Sequence, residues 1–195
     1  MPTKSRPTSR STTDGQLRII GGQWRGRKLR FPAVDGLRPT PDRVRETLFN
    51  WLAPELEGAR CLDLFAGSGA LGLEALSRGA GHCRFVELAR PATQALTDNL
   101  ALLGCTRATV VQADALAWLA NQSADLANIV FVDPPFRRGL AAQCCTALAR
   151  PGLLAPGSWL YLETGTEEPL PDLPAHWELY RDKRAGQVSY RLIRV

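Results

Sequence analysis

The sequence has few residues that bind metals and no stretch that could cross a membrane. Its 195 residues include two histidines and five cysteines, and no two cysteines form a CxxC pair. Isolated cysteines in apolar segments are typical of buried, reduced thiols and not of zinc sites or disulfides. No run approaches the roughly 18 to 20 consecutive apolar residues of a membrane span, and the N-terminus lacks the apolar core of a secretory signal. We therefore expect a cytoplasmic protein with no metal, no disulfide and no membrane contact.

Positive charge is unevenly distributed along the chain. Residues 1–50 contain eleven Lys or Arg against four Asp or Glu, whereas residues 51–195 contain thirteen against fifteen. A concentrated basic region is typical of proteins that bind a polyanion, because each cation placed on a phosphate releases counterions. A solubilising tail would have the same composition, so charge alone leaves both interpretations open. The length allows one well-buried domain with an appendage, and nothing in the sequence specifies an oligomer, so we expect a monomer.

The N-terminal part of the chain divides into a tail and an extension. Residues 1–16 are rich in Ser, Thr, Pro and Arg and lack an apolar face, which predicts a disordered basic tail. Residues 17–54 form the extension. In residues 17–32, short apolar clusters on either side of glycines predict a hairpin with its turn near Arg25 and Gly26. The basic residues at its tip are candidate substrate contacts: Arg25, Arg27 and Lys28.

A helix should follow the hairpin. We predict Thr40 as its N-cap and Pro41 as its first residue, with Asp42 in the positive first turn. Its apolar face comprises Val44, Leu48, Trp51 and Leu52. The charged residues near its start exceed what capping requires, and they are Arg38, Asp42, Arg43, Arg45 and Glu46. Our hypothesis is that this helix start borders the cofactor and the target, with Arg38, Thr40, Asp42 and Arg43 as candidate substrate contacts.

Residues 55–195 alternate between short apolar strands and amphipathic helices. Several strands are continuous apolar runs, which indicates a parallel sheet covered by helices on both faces. The final segment, HWELYRDKRAGQVSYRLIRV, predicts two strands joined at Gly186 that add an antiparallel edge. The fold class is therefore α/β, with the extension preceding a single catalytic domain.

A glycine-rich turn follows the first of these strands. The segment DLFAGSGALG places Asp63 at the strand's carboxyl end, where open α/β sheets bind ligands. Gly67, Gly69 and Gly72 match G-x-G-x-x-G, a spacing that dinucleotide enzymes share. Asp63 would repel a pyrophosphate and attract the ammonium of a methionine-like group. The charge therefore favours S-adenosylmethionine as the cofactor.

Two further acidic residues end the next two strands. Glu87 is placed to accept hydrogen bonds from ribose hydroxyls, and Asp114 from an adenine amine, with Ala115 beside the ring. Each acid also has a structural interpretation: a buried acceptor for Asp63, a helix cap for Glu87 and an N-cap for Asp114. Three acids at successive strand ends favour a cofactor site when taken together. The predicted cofactor contacts are Asp63, Phe65, Ala66, Gly67, Ser68, Gly69, Glu87, Asp114, Ala115 and Asp133.

The fourth strand ends in Asp133-Pro134-Pro135-Phe136. Consecutive prolines cannot continue a central strand, so they predict a rigid loop above the sheet. An amine conjugated with a planar base is a poor nucleophile until its nitrogen becomes tetrahedral. The Asp133 carboxylate and the Pro134 carbonyl could accept its hydrogens during that change, and Phe136 could stack on the base. These residues are the predicted catalytic set, although an ordinary strand-terminating turn would have the same sequence.

These motifs together resemble those of the amino-methyltransferases with a Rossmann-like fold. The segments R-I-I-G-G-x-W-R-G-R-K-L at 18–29 and L-R-P-T-x-D-R-V-R-E-T-L-F-N-W-L at 37–52 are similar to the RsmD family of 16S ribosomal RNA guanine-N2 methyltransferases. The resemblance extends from Leu17 to Val195. It implies a class I methyltransferase sheet of seven mostly parallel strands with an antiparallel last strand, and an RNA-binding extension. It also implies S-adenosylmethionine as cofactor and ribosomal RNA or the small ribosomal subunit as partner.

Other functions are compatible with the same motifs. The D-P-P-F loop suits any planar exocyclic amine, so methylation of adenine N6 in RNA or DNA, or of a protein glutamine, uses the same chemistry. An NAD-dependent oxidoreductase would use the glycine turn, but Asp63 and the D-P-P-F loop oppose it. A basic ribosome assembly factor without activity would not need the three strand-end acids. Methylation of a pyrimidine carbon through a covalent cysteine adduct is disfavoured, since the fourth-strand loop contains no Cys to act as the nucleophile.

Overall fold

The computed structural model describes residues 15–32, 40–124 and 127–195. The predicted tail lies almost wholly outside these ranges, and so does Arg38. The strands are β1 Gly15–Arg18, β2 Lys28–Phe31, β3 Arg60–Asp63, β4 His82–Glu87, β5 Ala108–Gln112, β6 Ala127–Val132, β7 Leu154–Gly165, β8 Glu178–Ala185 and β9 Val188–Arg194. The α-helices are α1 Asp42–Leu52, α2 Ala70–Ser77, α3 Arg90–Leu102, α4 Ala115–Ala120 and α5 Leu140–Leu148. Short 3₁₀ turns span Gly22–Trp24 and Ala53–Glu55.

Seven strands form one sheet in the order β5-β4-β3-β6-β7-β9-β8. Strands β3 to β7 pair in parallel, and β9 is antiparallel to both of its neighbours. The predicted α/β fold with an antiparallel last strand is confirmed. The last strand lies inside the sheet, however, and β8 forms the edge. A tight turn at Gly186, whose φ of 60° suits glycine, returns β9 between β7 and β8.

Helices cover both faces of the sheet. One apolar core lies beneath α1, α2 and α3 and includes Phe85, Phe131 and Tyr161. The other lies beneath α4 and α5 and includes Val130 and Leu160. Because the strands are buried on both faces, their sequences are continuous apolar runs. No helix within the described ranges is long and apolar enough to span a membrane.

The N-terminal hairpin packs on the same core as α2 and α3. Leu17, Ile19, Leu29 and Phe31 are buried in it. The predicted turn is present, since Gly26 has a φ of 83° and its N–H donates to the Ile19 carbonyl at 2.9 Å. Hydrophobic burial thus joins the hairpin to the sheet and its helices.

Helix α1 begins one residue later than a Thr40 cap would require. Pro41, with an extended backbone at φ −55° and ψ 145°, occupies the N-cap position, so the N-cap prediction for Thr40 is wrong. A side chain caps a helix only from the residue that directly precedes it, and Thr40 lies one position too early. Asp42 lies in the first turn as predicted. The apolar face is confirmed for Val44, Leu48 and Leu52, whereas Trp51 is only half-buried.

Candidate active site

The candidate site lies at the carboxyl edge of the sheet, between β3 and β6. The chain proceeds outward from β3 through β4 to β5 and then returns to place β6 on the other side of β3. Such a switch in strand order opens a crevice above the strand ends. Asp63 ends β3, Glu87 ends β4 and Asp133 follows β6, so three predicted acids border this crevice.

The glycine turn after β3 is anchored by backbone hydrogen bonds. Gly67 and Gly69 have φ values of 52° and 80°, a left-handed conformation that favours glycine. The Ala66 N–H donates to the Val86 carbonyl at 3.0 Å, and the Gly67 N–H donates to Glu87 Oε2 at 2.8 Å. The turn is therefore fixed to the end of β4 before it leads into α2.

Asp63 is buried and binds backbone. Its side chain is only 2% exposed, and Oδ2 accepts a hydrogen bond from the Gly72 N–H at 3.1 Å. Burial raises the pKa of Asp63 to about 7, with a further rise from Glu87 and a partial offset by hydrogen bonds from the Gly72 and Phe65 amides. These contacts match the interpretation of Asp63 as a buried acceptor that shapes the glycine turn.

Glu87 and Asp114, which follow one another at successive strand ends, each have free acceptor capacity. Glu87 Oε1 accepts from the Ala89 N–H at 2.7 Å, and each of its oxygens can accept a second bond. Asp114 is the N-cap of α4, with Oδ1 accepting from the Ala117 N–H at 2.9 Å. Asp114 is exposed, and its other oxygen has no partner within the described ranges. Carboxylates beside a left-handed glycine turn suit a ligand that has hydroxyl and amine donors, so the residues fit S-adenosylmethionine.

The D-P-P-F segment leaves the sheet as a loop with no regular structure. Pro134 is buried, Pro135 is exposed, and 37% of Phe136 is accessible. Thr40 Oγ1 donates to Asp133 Oδ2 at 3.3 Å. Burial, then repulsion by Glu163 and Asp63, raises the pKa of Asp133 well above its ordinary value, and the Thr40 hydrogen bond opposes the rise. The loop thus combines an accessible ring with a carboxyl group that ionises reluctantly.

Sequence reasoning missed Glu163, a fourth acidic residue near the strand ends. Leu162 pairs with Val132, so Glu163 and Asp133 come next on adjacent parallel strands. Glu163 is 3% exposed and accepts a hydrogen bond from Tyr161 Oη at 2.7 Å. Burial raises the pKa of Glu163 to about 7, and the Tyr161 hydrogen bond lowers it in part. The signal was available, because Glu163 interrupts the apolar run of β7 near the strand's carboxyl end.

The predicted substrate residues fall in two separate places. Thr40 contacts Asp133, and the exposed Arg43 follows it closely in the chain, in the first turn of α1. The hairpin residues lie elsewhere: the Trp24 N–H donates to Ser77 Oγ at 3.0 Å, and Arg27 donates to the Leu102 carbonyl at 3.4 Å. Helices α2 and α3 start at the catalytic edge and run away from it, ending near Ser77 and Leu102. The structure therefore does not bring Arg25, Arg27 and Lys28 to the strand ends.

Asp42 takes part in an ion-pair network that the sequence did not predict. It accepts from Arg18 at 2.9 Å and from Arg45 at 2.6 Å. Arg45 is 1% exposed and pairs at 3.3 Å with Glu74, which is fully buried. Glu74 also accepts at 2.7 Å from Arg78. The charge density at the start of α1 thus serves in part to hold the extension against α2.

The sheet has the strand order β5-β4-β3-β6-β7-β9-β8, and its carboxyl edge carries the glycine turn, the strand-end acids and the D-P-P-F loop. Together these features define an S-adenosylmethionine-dependent methyltransferase with a Rossmann-like fold. The chain belongs to the family described as conserved hypothetical protein 95, whose model matches residues 17–194. It is 57% identical over 178 residues to "Ribosomal RNA small subunit methyltransferase D" of Escherichia coli strain K12, covering 91% of this chain and 89% of the relative. The predicted RsmD resemblance is confirmed.

Two solved structures have the same fold. The candidate methyltransferase yhhF of Escherichia coli is 54% identical with a TM-score of 0.86, and the match covers 92% of this chain and 98% of that one. A candidate S-adenosylmethionine-dependent methyltransferase from Streptococcus mutans is 14% identical with a TM-score of 0.68, covering 100% and 57%. The second likeness supports the fold alone.

Proposed function

We propose that this enzyme transfers a methyl group from S-adenosylmethionine to the N2 amine of one guanine in 16S ribosomal RNA. The observation that supports the proposal is the D-P-P-F loop, in which the Asp133 carboxyl group lies near enough to Asp63 to be repelled by it and precedes the accessible ring of Phe136. The choice of small-subunit ribosomal RNA follows the name of a relative at 57% identity. The choice of guanine N2 follows the resemblance of residues 18–29 and 37–52 to the RsmD family. Methylation of adenine N6 is the alternative, because the loop itself does not select the base.

The strand-end residues would hold the cofactor. The glycine turn of Phe65 to Gly69, anchored by Asp63, would approach its amino-acid part, while Glu87 would accept from the ribose hydroxyls and Asp114 from the adenine amine, beside Ala115. When bound, S-adenosylmethionine supplies a methyl group on a positively charged sulfur. The other steps belong to the residues of this chain and to the target base.

The catalytic loop would bind and activate the base. Phe136 stacks on a base that has left its helix, which is least costly for a single-stranded or looped nucleotide. The Asp133 carboxylate and the Pro134 carbonyl accept the two amine hydrogens, so that the nitrogen lone pair becomes available for in-line attack. As the nitrogen gains the methyl group and positive charge, Asp133 stabilises it and can take the proton that leaves. Thr40 orients the carboxylate meanwhile.

The partner would be ribosomal RNA, alone or in the small subunit. We propose that residues 17–54 contribute to RNA binding through Arg43 near the crevice and through Arg25, Arg27 and Lys28 at the distant hairpin tip. A bound RNA would then contact two edges of the catalytic domain of residues 55–195. We also propose that the enzyme acts as a monomer in the cytoplasm, where ribosomal subunits are assembled.

Transfer of labelled methyl groups tests the proposed function. Small ribosomal subunits from cells that lack this protein are incubated with the enzyme and labelled S-adenosylmethionine, and the RNA is digested to nucleosides. We expect label in N2-methylguanosine. Label in N6-methyladenosine would reject the guanine assignment and retain the chemistry. Loss of label after nuclease treatment of the subunits would exclude a protein acceptor.

The neighbouring carboxyl groups of Asp133 and Glu163 predict an unusual pH dependence of the methyl-transfer rate. Asp133 must be ionised to accept the amine hydrogens, so the transfer rate should fall as the pH drops below its raised pKa. Glu163→Gln removes a negative neighbour and keeps an acceptor for Tyr161. The pKa of Asp133 should therefore fall, and the acidic limb of the pH–rate profile should move to lower pH. An unshifted profile would show that Glu163 does not influence Asp133.

The same variant should change stability with pH. Folding raises the pKa of Glu163 from 4.5 to about 7, so in this window the folded chain binds a proton that the unfolded chain has lost. The contribution of Glu163 to the free energy of unfolding therefore decreases as the pH rises through the window. Glu163→Gln lacks this term and should gain stability relative to the unsubstituted protein above about pH 7. Urea unfolding at several pH values measures the difference.

A further inference from the structure

The residue after the catalytic loop has a backbone conformation that disfavours a side chain. Arg137 has a φ of 63°, and no other residue except glycine has a positive φ in the described ranges. Two positions later, Gly139 adopts nearly the same φ of 65° without a side chain. A glycine at 137 would fit this turn at lower cost. Strained residues of this kind concentrate at functional sites, so the arginine side chain calls for an explanation.

A hydrogen bond from the neighbouring loop holds Arg137 in this conformation. The Arg137 N–H donates to Glu168 Oε1 at 2.8 Å, and the Glu168 N–H donates to the Gly165 carbonyl at 2.9 Å. Gly165 lies against Phe136: a Cβ added to it would be 3.7 Å from Phe136 Cδ2. Glu168 thus fixes the turn that follows the catalytic ring to the end of β7.

The guanidinium of Arg137 has no acidic partner in the part of the chain that the structure describes. The side chain is exposed, and among residues 15–32, 40–124 and 127–195 no carboxylate pairs with it. The Glu168 carboxylate accepts from the backbone amide of Arg137 instead. An exposed guanidinium on a rigid turn is suited to a planar or tetrahedral anion such as a phosphate.

We propose that Arg137 binds a backbone phosphate of the RNA next to the target base, and that Glu168 is the positioning residue for this contact. The proposal rests on the proposed function, because it takes Phe136 as the ring on which the target base stacks. Adjacent Cα atoms are about 3.8 Å apart, so a base on Phe136 brings its own sugar and phosphate within reach of an extended arginine. The contact would hold the flipped nucleotide by its backbone, which suits any base sequence.

Binding of an unmodified 16S ribosomal RNA transcript at increasing salt tests the proposal. We expect Arg137→Gln and Arg137→Gly each to weaken binding about tenfold at low salt. The slope of log affinity against log salt should decrease by about 1, as for the loss of one phosphate contact. Arg137→Gly should melt no earlier than the unsubstituted protein, since it relieves the strained turn. Arg60→Gln is the control, because it removes the same charge from an exposed residue at the amino end of β3, away from the catalytic loop.

The role of Glu168 is tested by a pair of substitutions. Glu168→Gln retains an oxygen acceptor for the Arg137 amide and should bind RNA nearly as well as the unsubstituted protein. Glu168→Ala releases the turn and should raise the KM for RNA several-fold, with a smaller change in kcat. Equal KM values for the two variants would remove Glu168 from the proposal.

The outcomes separate this proposal from the proposed function. RNA affinity and salt slope unchanged in both Arg137 variants would overturn the phosphate contact even if the enzyme forms N2-methylguanosine. A loss confined to the Arg137 variants supports the contact whichever base carries the methyl group. Equal losses in Arg137→Gln and Arg60→Gln would show a general effect of charge and would also overturn it.

Discussion

Asp133→Ala is expected to reduce the rate of methyl transfer by about 100- to 1000-fold, the usual cost of removing one preorganised polar partner of a transition state. The carboxylate is the strongest acceptor available to the target amine, and its effect grows as positive charge develops on nitrogen. The affinity for S-adenosylmethionine should change much less, because the glycine turn, Glu87 and Asp114 are intact. Single-turnover transfer and equilibrium cofactor binding measure the two quantities separately.

Two further substitutions make this test specific. Asp133→Asn preserves the shape and the acceptor for Thr40 but replaces one oxygen with an N–H₂ group that cannot accept a hydrogen. It should be nearly as inactive as the alanine variant. Asp172→Asn removes an exposed carboxylate from the segment between β7 and β8 and should retain full activity. Full activity in Asp133→Ala would exclude the carboxylate from the chemistry and leave base stacking and proximity as the source of catalysis.

The strand ends of the site were predictable because parallel strands place their carboxyl ends along one edge. A run such as IVFVD identifies both a buried strand and the residue that leaves it, so Asp63, Glu87 and Asp133 could be located together. The D-P-P-F loop was equally clear, since prolines exclude it from the sheet. What stayed open was which of the two interpretations of each acid is correct: Asp63 binds backbone as a buried acceptor, and Asp114 caps a helix while keeping one oxygen open.

The individual contacts between distant segments were not predictable, although the start of α1 was expected to border the cofactor and the target. Thr40 has the residue type and the approximate position of an N-cap. Because α1 begins one residue later than predicted, Thr40 instead donates to Asp133, 93 residues further along the chain. The hairpin tip is basic and so resembles a nucleic-acid contact. Tertiary packing nevertheless places it near the ends of α2 and α3, away from the carboxyl edge of the sheet where the candidate site lies. Local patterns determine which elements form, whereas the docking of the extension depends on partners that no local pattern contains.

Arg45 is the clearest example of such a partner. Its helical position adjoins the apolar face, where a sequence pattern predicts that a charged side chain will lie at the boundary and reach solvent. Instead it is buried, because Glu74 and Asp42 accept its hydrogen bonds together with the Arg18 carbonyl. A buried arginine is stable only when such acceptors are in place. They come from three separate segments of the chain.

Glu74→Ala is therefore expected to lower the free energy of unfolding by about 3–5 kcal/mol, as when one partner of a buried ion pair is removed. Glu74 accepts from the Ile20 and Gly21 amides at 2.9 and 2.7 Å as well as from Arg45 and Arg78. The substitution leaves a buried charge and two amides without their acceptor. Glu46→Ala, an equivalent change on the exposed side of α1, should alter stability by less than about 0.5 kcal/mol. Guanidinium unfolding measures both.

Replacing both members of the pair distinguishes the ion pair from the hydrogen bonds to the hairpin. Arg45→Met combined with Glu74→Met fills a similar volume without charge, so the cost of an unpaired buried ion disappears. The double variant should be more stable than the sum of the single changes predicts, by about 2–3 kcal/mol. What remains of the loss is then due to the Ile20 and Gly21 amides and to Arg78, which all lose Glu74 as their acceptor. Strictly additive effects would mean that Arg45 finds other acceptors, and that Glu74 stabilises the fold mainly by holding the hairpin to α2.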